Sequence, residues 1–297
     1  MTFGDRAYGA LAGGIAGFEM GKAAFGLTRY EIKRQFDRIT EIAEGAEKGG
    51  DPQAEAAFKE AVVLAKTLIR DGRFDANAYK KDLEEAGIAP AENSGATGAD
   101  LFKAVLIGMK YTYDIPTCID AAAQMMEMKD RSSAALAGAC AIAAASAAAV
   151  EGNSSRDDVM QLAFDSAVFG ERRGARGCGP SVSRRIKLAK KLIDDAKVTD
   201  LKYLTGELTA VFGSEGSVYE SVPLVMGIFY AVEGNAKKAV IEAVNAGGAA
   251  DTNAALCGAV CGGFSGINTV PVDWSSRAGE LVDADIKDAA HKLARRV

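Results

Sequence analysis

The segment Asn245-Ala246-Gly247-Gly248-Ala249-Ala250-Asp251-Thr252-Asn253-Ala254-Ala255 joins a glycine turn to a run of small residues ending near Gly263. Alanine favours helix more than any other residue, so the run predicts a helix over Thr252–Gly263. Asp251 stands where an N-cap would, its carboxylate free to accept a first-turn N–H. Cys257 and Cys261 lie four apart on this helix, a spacing that suits core thiols behaving as small hydrophobes.

Working outward, Asp5–Gly21 reads as a first helix whose Gly9, Gly13, Ala16 and Gly17 let another backbone come close. Thr28 and Glu31 have capping-box spacing and open a helix through Ile32 and Phe36. Gly49-Gly50-Asp51-Pro52 is a turn with proline at a helix start, and the helix after it ends at Asp71-Gly72. Further helices are expected at Asp75–Glu85, Asp100–Tyr111, Ile115–Lys129, Ala134–Val150 and Asp157–Phe169, and then at Arg184–Lys197, capped by Ser181 or Ser183. Tyr219–Glu233, Lys237–Asn245 and a terminal helix carrying His291 complete the count. No segment alternates as a strand would, and the loops show neither linker composition nor repeat. The expectation is an all-α, compact multi-helix bundle forming a single domain over residues 1–297.

Composition narrows the chemistry. Acidic residues number 40 and basic residues 35, a net charge of −5 that argues against a nucleic-acid partner. Ala134–Val150 is the longest apolar run, but it is mostly alanine and at ~1.5 Å per residue barely approaches a bilayer's thickness; no membrane span is expected. Five cysteines without a CxxC pair, and no signal peptide, point to a cytoplasmic setting. A single histidine, His291, makes histidine-based triads and zinc sites poor candidates. The oligomeric state is left open.

The glycine turn and helix, followed by Gly258-Ala259 and by Val270-Pro271-Val272-Asp273-Trp274, resemble the C-terminal signature of the ADP-ribosylglycohydrolase family. Gly9–Gly17 resembles that family's opening helix, Thr97–Gly108 its central glycine-bearing segment, and Ser217–Pro223 the stretch before a late core helix. The resemblance runs in order along nearly the whole chain and implies the family's helical fold. It also implies cleavage of ADP-ribosyl bonds by two magnesium ions held by carboxylates, an ion that wants hard oxygen ligands in octahedral array.

Matched position by position, the implied ligands are mostly gone. The first aspartate falls on Phe18, with Glu19 displaced by one, and the flap glutamate falls on Phe25. The acidic cluster falls on Glu55-Ala56-Ala57-Phe58, and one aspartate of the C-terminal turn on Ala249. Asp251 and Thr252 remain. The expected cofactor set is none, with one weak magnesium site at Glu55 as the upper limit.

What remains could still act by acid–base chemistry, because a carboxylate in a drier basin has a raised pKa. Asp251 is the leading candidate, with Glu19 and Glu55 as partners. The loop Ser94–Asp100, including Thr97, Gly98 and Asp100, has backbone amides suited to a polar ligand. Lys103, Arg172, Arg173 and Arg176 could meet substrate charge, while Glu220 and Thr252 sit where the resemblance puts ligand-side residues. Cys178 lies beside those arginines and is a lesser nucleophile candidate. The leading expectation is a metal-independent enzyme that hydrolyses, or eliminates across, a C–N or C–O bond of a small polar or anionic molecule. A non-catalytic binding or structural protein, which the family's lens crystallins exemplify, comes second. A residual metal-dependent ADP-ribosyl hydrolase comes third.

Overall fold

Glycines at four-residue intervals place two distant parts of the chain side by side. The computed structural model describes residues 1–42, 49–89, 96–282 and 285–295, with only the backbone for 279–282. In chain order the helices are α1 (Phe3–Lys22), α2 (Arg29–Phe36), α3 (Pro52–Asp71), α4 (Ala76–Glu85), α5 (Leu101–Lys110), α6 (Ile115–Glu127), α7 (Ser133–Glu151) and α8 (Arg156–Arg173). Then follow α9 (Val182–Asp195), α10 (Leu201–Phe212), α11 (Val218–Ala231), α12 (Ala236–Val244), α13 (Ala250–Ser265), α14 (Val272–Val282) and α15 (Ile286–Ala294). The fold is all-α, with 74% of it helical and no sheet among the described residues.

On α1, Gly9, Gly13, Gly17 and Gly21 face Gly262, Gly258, Ala254 and Ala250 on α13. One set rises as the other falls, so the helices run antiparallel. A methyl group on any of these four α1 glycines would come closer than 3.0 Å to backbone of α13. This contact sets the depth of the core. Around it α7 is buried on all sides, with Gly108 of α5 and Gly170 of α8 fitting against its backbone. Although α7 is long and apolar enough to cross a membrane, 94% of that stretch is buried inside the protein; its apolar surface is used by the core.

Local signals largely hold. Thr28 and Glu31 form a reciprocal capping box, Asp51 caps α3, and Ser181 rather than Ser183 caps α9. Three expectations change. The helix α13 starts at Ala250, so Asp251 lies inside its first turn and is not the cap. Residues 98–100 form a 3-10 turn before α5. Helices α10 and α14 were not expected; α10 carries Thr205, Gly206 and Thr209, weak helix formers that tertiary packing overrides.

Candidate functional site

The cleft at the end of α1, where the resemblance would place metal, is filled with rings. Phe18 of α1 stacks on Phe58 of α3 with centroids 4.7 Å apart and planes 4° apart, and Phe58 meets Phe102 of α5 at 5.5 Å. With Ala54, Gly98, Thr252 and Ala255 they line a crevice of about 10 Å³. That is room for one water at most, far short of a ribose.

The neighbouring carboxylates already have partners. Asp251 is fully buried; its Oδ2 accepts the Asp51 N–H at 2.8 Å and its Oδ1 the Thr252 N–H at 2.7 Å. The Gly50–Asp51 turn lies over it, since a methyl on Gly50 would be 3.3 Å from Asp251 Oδ2. Glu19 is buried against Lys22 at 2.6 Å, and Glu55, half-exposed, reaches the same ammonium at 3.5 Å. The Lys22 ammonium also sits 4.7 Å from the centre of the Phe18 ring. No group of three or more acidic, histidine or cysteine side chains is placed to hold a metal among the described residues. Where the resemblance implies two ligand acids, a ring (Phe18) and a methyl group (Ala249) stand, and Lys22 pairs with both Glu19 and Glu55.

A second charged cluster lies behind the rings. Lys103 of α5 binds Glu60 of α3 and, at 3.1 Å, Asp100 Oδ1; Lys129 reaches the same oxygen at 2.8 Å. Asp100 Oδ2 accepts the Thr97 N–H at 3.0 Å. Asp100 is fully buried and Lys103 is 3% exposed. Both were expected to meet a ligand, and both are instead neutralised inside the protein. Glu60 and Lys129 do the neutralising, and no local sequence pattern marks them, because Glu60 comes from α3 and Lys129 from the turn after α6.

The other expected residues scatter. Gly98 and Thr252 line the crevice, and Thr97 pairs by an isolated bridge with Ser217. Glu220 accepts the Glu215 N–H at 2.6 Å and so holds its own turn. Arg173 forks onto Glu127 at 2.7 and 3.2 Å and also binds Asp120, tying α8 to α6. Arg172, Arg176 and Cys178 are exposed. Residues 94 and 95 of the amide-bearing loop lie outside the described residues. Two buried polar atoms near the crevice, Ser221 Oγ and Asn253 Oδ1, have no partner in the protein among the described residues.

Two buried aspartates titrate in opposite senses. Burial pushes the Asp251 carboxyl up, and the Asp51 and Thr252 amides only partly reverse this. Burial also raises Asp100, but Lys103, Lys129 and the Thr97 amide together hold it below its ordinary value. Asp100 binds its proton more weakly folded than unfolded. It adds stability above an unfolded value of about 3.9, lost as pH falls through the depressed one. Asp251 does the reverse and favours the folded state as pH falls. In urea titrations between acid and neutral pH, Asp100→Asn should flatten the acid loss of stability and Asp251→Asn should steepen it. Slopes that change in the same direction would contradict the assignment.

A helical bundle built on a glycine-paired first and late helix, with an acidic turn where they end, defines a glycohydrolase-type fold. The sequence profile of the ADP-ribosylglycohydrolase family matches residues 1–297, and the chain belongs to that family, one of hydrolases. An uncharacterized Escherichia coli (strain K12) protein, YegU, is 25% identical over 233 residues, 78% of this chain and 65% of that protein. The chain thus matches just under two thirds of this curated relative's length. A solved structure described as an ADP-ribosylglycohydrolase-related protein complex superposes with a TM-score of 0.70 at 21% identity. That match covers 99% of this chain and 98% of the other, and at such identity it speaks for the fold alone.

Proposed function

We propose that this chain keeps the family's fold without its dimagnesium reaction, and that this cleft is non-catalytic. The Phe18–Phe58–Phe102 stack carries the reading. Three rings lie where the resemblance would put the ions, and the crevice left beside them is about 10 Å³. The buried carboxylate closest to the old chemistry, Asp251, already has both oxygens engaged by backbone.

Thermal unfolding and calorimetry test this directly. Millimolar magnesium should leave the midpoint unchanged, ADP-ribose should give no heat, and an ADP-ribosylated protein should release nothing. A midpoint raised by magnesium, together with ADP-ribose binding, would restore the metal-dependent reading.

One observation favours a second reading, a metal-independent acid–base enzyme acting on a small polar or anionic molecule. Burial pushes the Asp251 carboxyl up, the direction a proton-transfer group needs, and Ser221 Oγ and Asn253 Oδ1 are buried without a partner among the described residues. Under this reading the substrate would enter by displacing the Gly50–Asp51 turn, with Glu19 and Glu55 held by Lys22 behind it. Turnover of any C–N or C–O substrate that Asp251→Asn abolishes would establish it over the first.

A further inference from the structure

A cavity of about 330 Å³ opens on another face, between α2, the turn after it, the start of α10 and the end of α12. Its walls carry Arg29, Lys33, Arg38 and Lys202, with Asp37 the one acid among the described residues that line it. Four cations around one opening repel each other unless something offsets them. Arg38 has a partial answer: its Nη2 binds Glu242 at 2.6 Å, and Glu242 also accepts from Thr205 at 3.0 Å. Arg29 has less. Its Nη2 donates to the Lys202 carbonyl at 2.9 Å, while its Nη1 is buried with no partner among the described residues. Burial makes Arg29 hold its proton less tightly than usual, Glu242 opposes this, and the nearby Arg38 adds to it.

The backbone here is arranged at a cost. Asp37 has φ 57 and ψ −58, and the Arg38 N–H donates to the Phe36 carbonyl at 2.6 Å, a γ-turn of the strained, positive-φ kind. A non-glycine residue so held persists only where its surroundings over-determine it, and such strain gathers at ligand clamps. On the other side of Arg38, Asn245 grips Ile39 twice, accepting its N–H at 3.0 Å and donating to its carbonyl at 2.7 Å. Arg38 is thus fixed from both sides at the wall of the cavity. Tyr30, 73% exposed, stands in the same wall.

We infer that this cavity binds a small phosphate-bearing metabolite through Arg29, Lys33, Arg38 and Lys202. Guanidinium forks match phosphate oxygens two at a time, lysines add point charge, and the volume suits a small organic molecule. A long nucleic acid fits poorly, because the protein as a whole is acidic, with a net charge of −5. The site is separate from the ring-filled cleft, so failure here would leave the reading of that cleft untouched.

Pyrophosphate, titrated into the full chain without divalent metal and at constant ionic strength, is the probe. Saturable binding at one site and a raised melting temperature are expected. Lys33→Gln, on an exposed position of α2 that leaves the Glu242 contacts intact, should weaken binding about tenfold, as loss of a charge-assisted contact does. Arg29→Gln should do at least as much. Arg34→Gln, on the same helix but outside the cavity wall, should change binding less than about twofold. Pyrophosphate binding no tighter than chloride, or Lys33→Gln and Arg34→Gln weakening it equally, would overturn the inference by reducing the site to general surface charge.

Discussion

Gly258→Val should cost about 3 kcal/mol or more of unfolding free energy, at or beyond the top of the usual range for overpacking. Gly13→Val should match it. Overpacked cores usually adjust by rotating side chains, but here the added carbon would meet a backbone carbonyl, Gly13 O in one case and Gly258 O in the other. Relief would require α1 and α13 to move apart along the whole ladder, losing contact at Gly9, Gly17 and Gly21 together. Urea unfolding followed by circular dichroism measures the cost. Gly177→Ala, where the nearest atom is 4.0 Å away, should stay within about 0.5 kcal/mol as surface changes do. A Gly258→Val protein less than 1 kcal/mol weaker than the parent would remove the ladder from the centre of the fold.

Lys103→Met should destabilise by about 3–5 kcal/mol, the usual consequence of leaving a buried charge unpaired. Asp100 would keep Lys129 and the Thr97 amide, so most of the loss falls on Glu60, which binds no other cation among the described residues. One consequence distinguishes this from simple loss of packing. Adding Glu60→Leu to Lys103→Met should recover much of the stability. A double variant as weak as the single one would show that the lysine's stem, and not its charge, holds α3 to α5.

The parts of this architecture that could be read in advance are those with local signatures. Small residues at Gly9, Gly13 and Gly17 announced a close helix contact, though not that its partner was α13; that pairing joins opposite ends of the chain. Replacement of expected ligand acids by Phe18 and Ala249 announced that the cleft had changed. That Phe18, Phe58 and Phe102 would meet in one stack was not legible, because the three lie on separate helices. The same holds for ionic partners. Lys103 and Asp100 looked like exposed recognition groups in the linear chain, and only the approach of α3 brings Glu60 to them. Arg29 and Arg38 sat unremarked beside a capping box, since the γ-turn at Asp37 that aims one of them has no residue signature.

The glycine ladder also sets a timetable for synthesis. The inner face of α1 is made first, yet its complement is complete only once residue 265 has been added. At ~5–20 residues per second the first helix waits on the order of tens of seconds, its apolar stripe unmatched, before its partner leaves the ribosome. The nascent chain therefore carries an open seam until α13 is made, and it is in that interval that chaperones would find the most to hold.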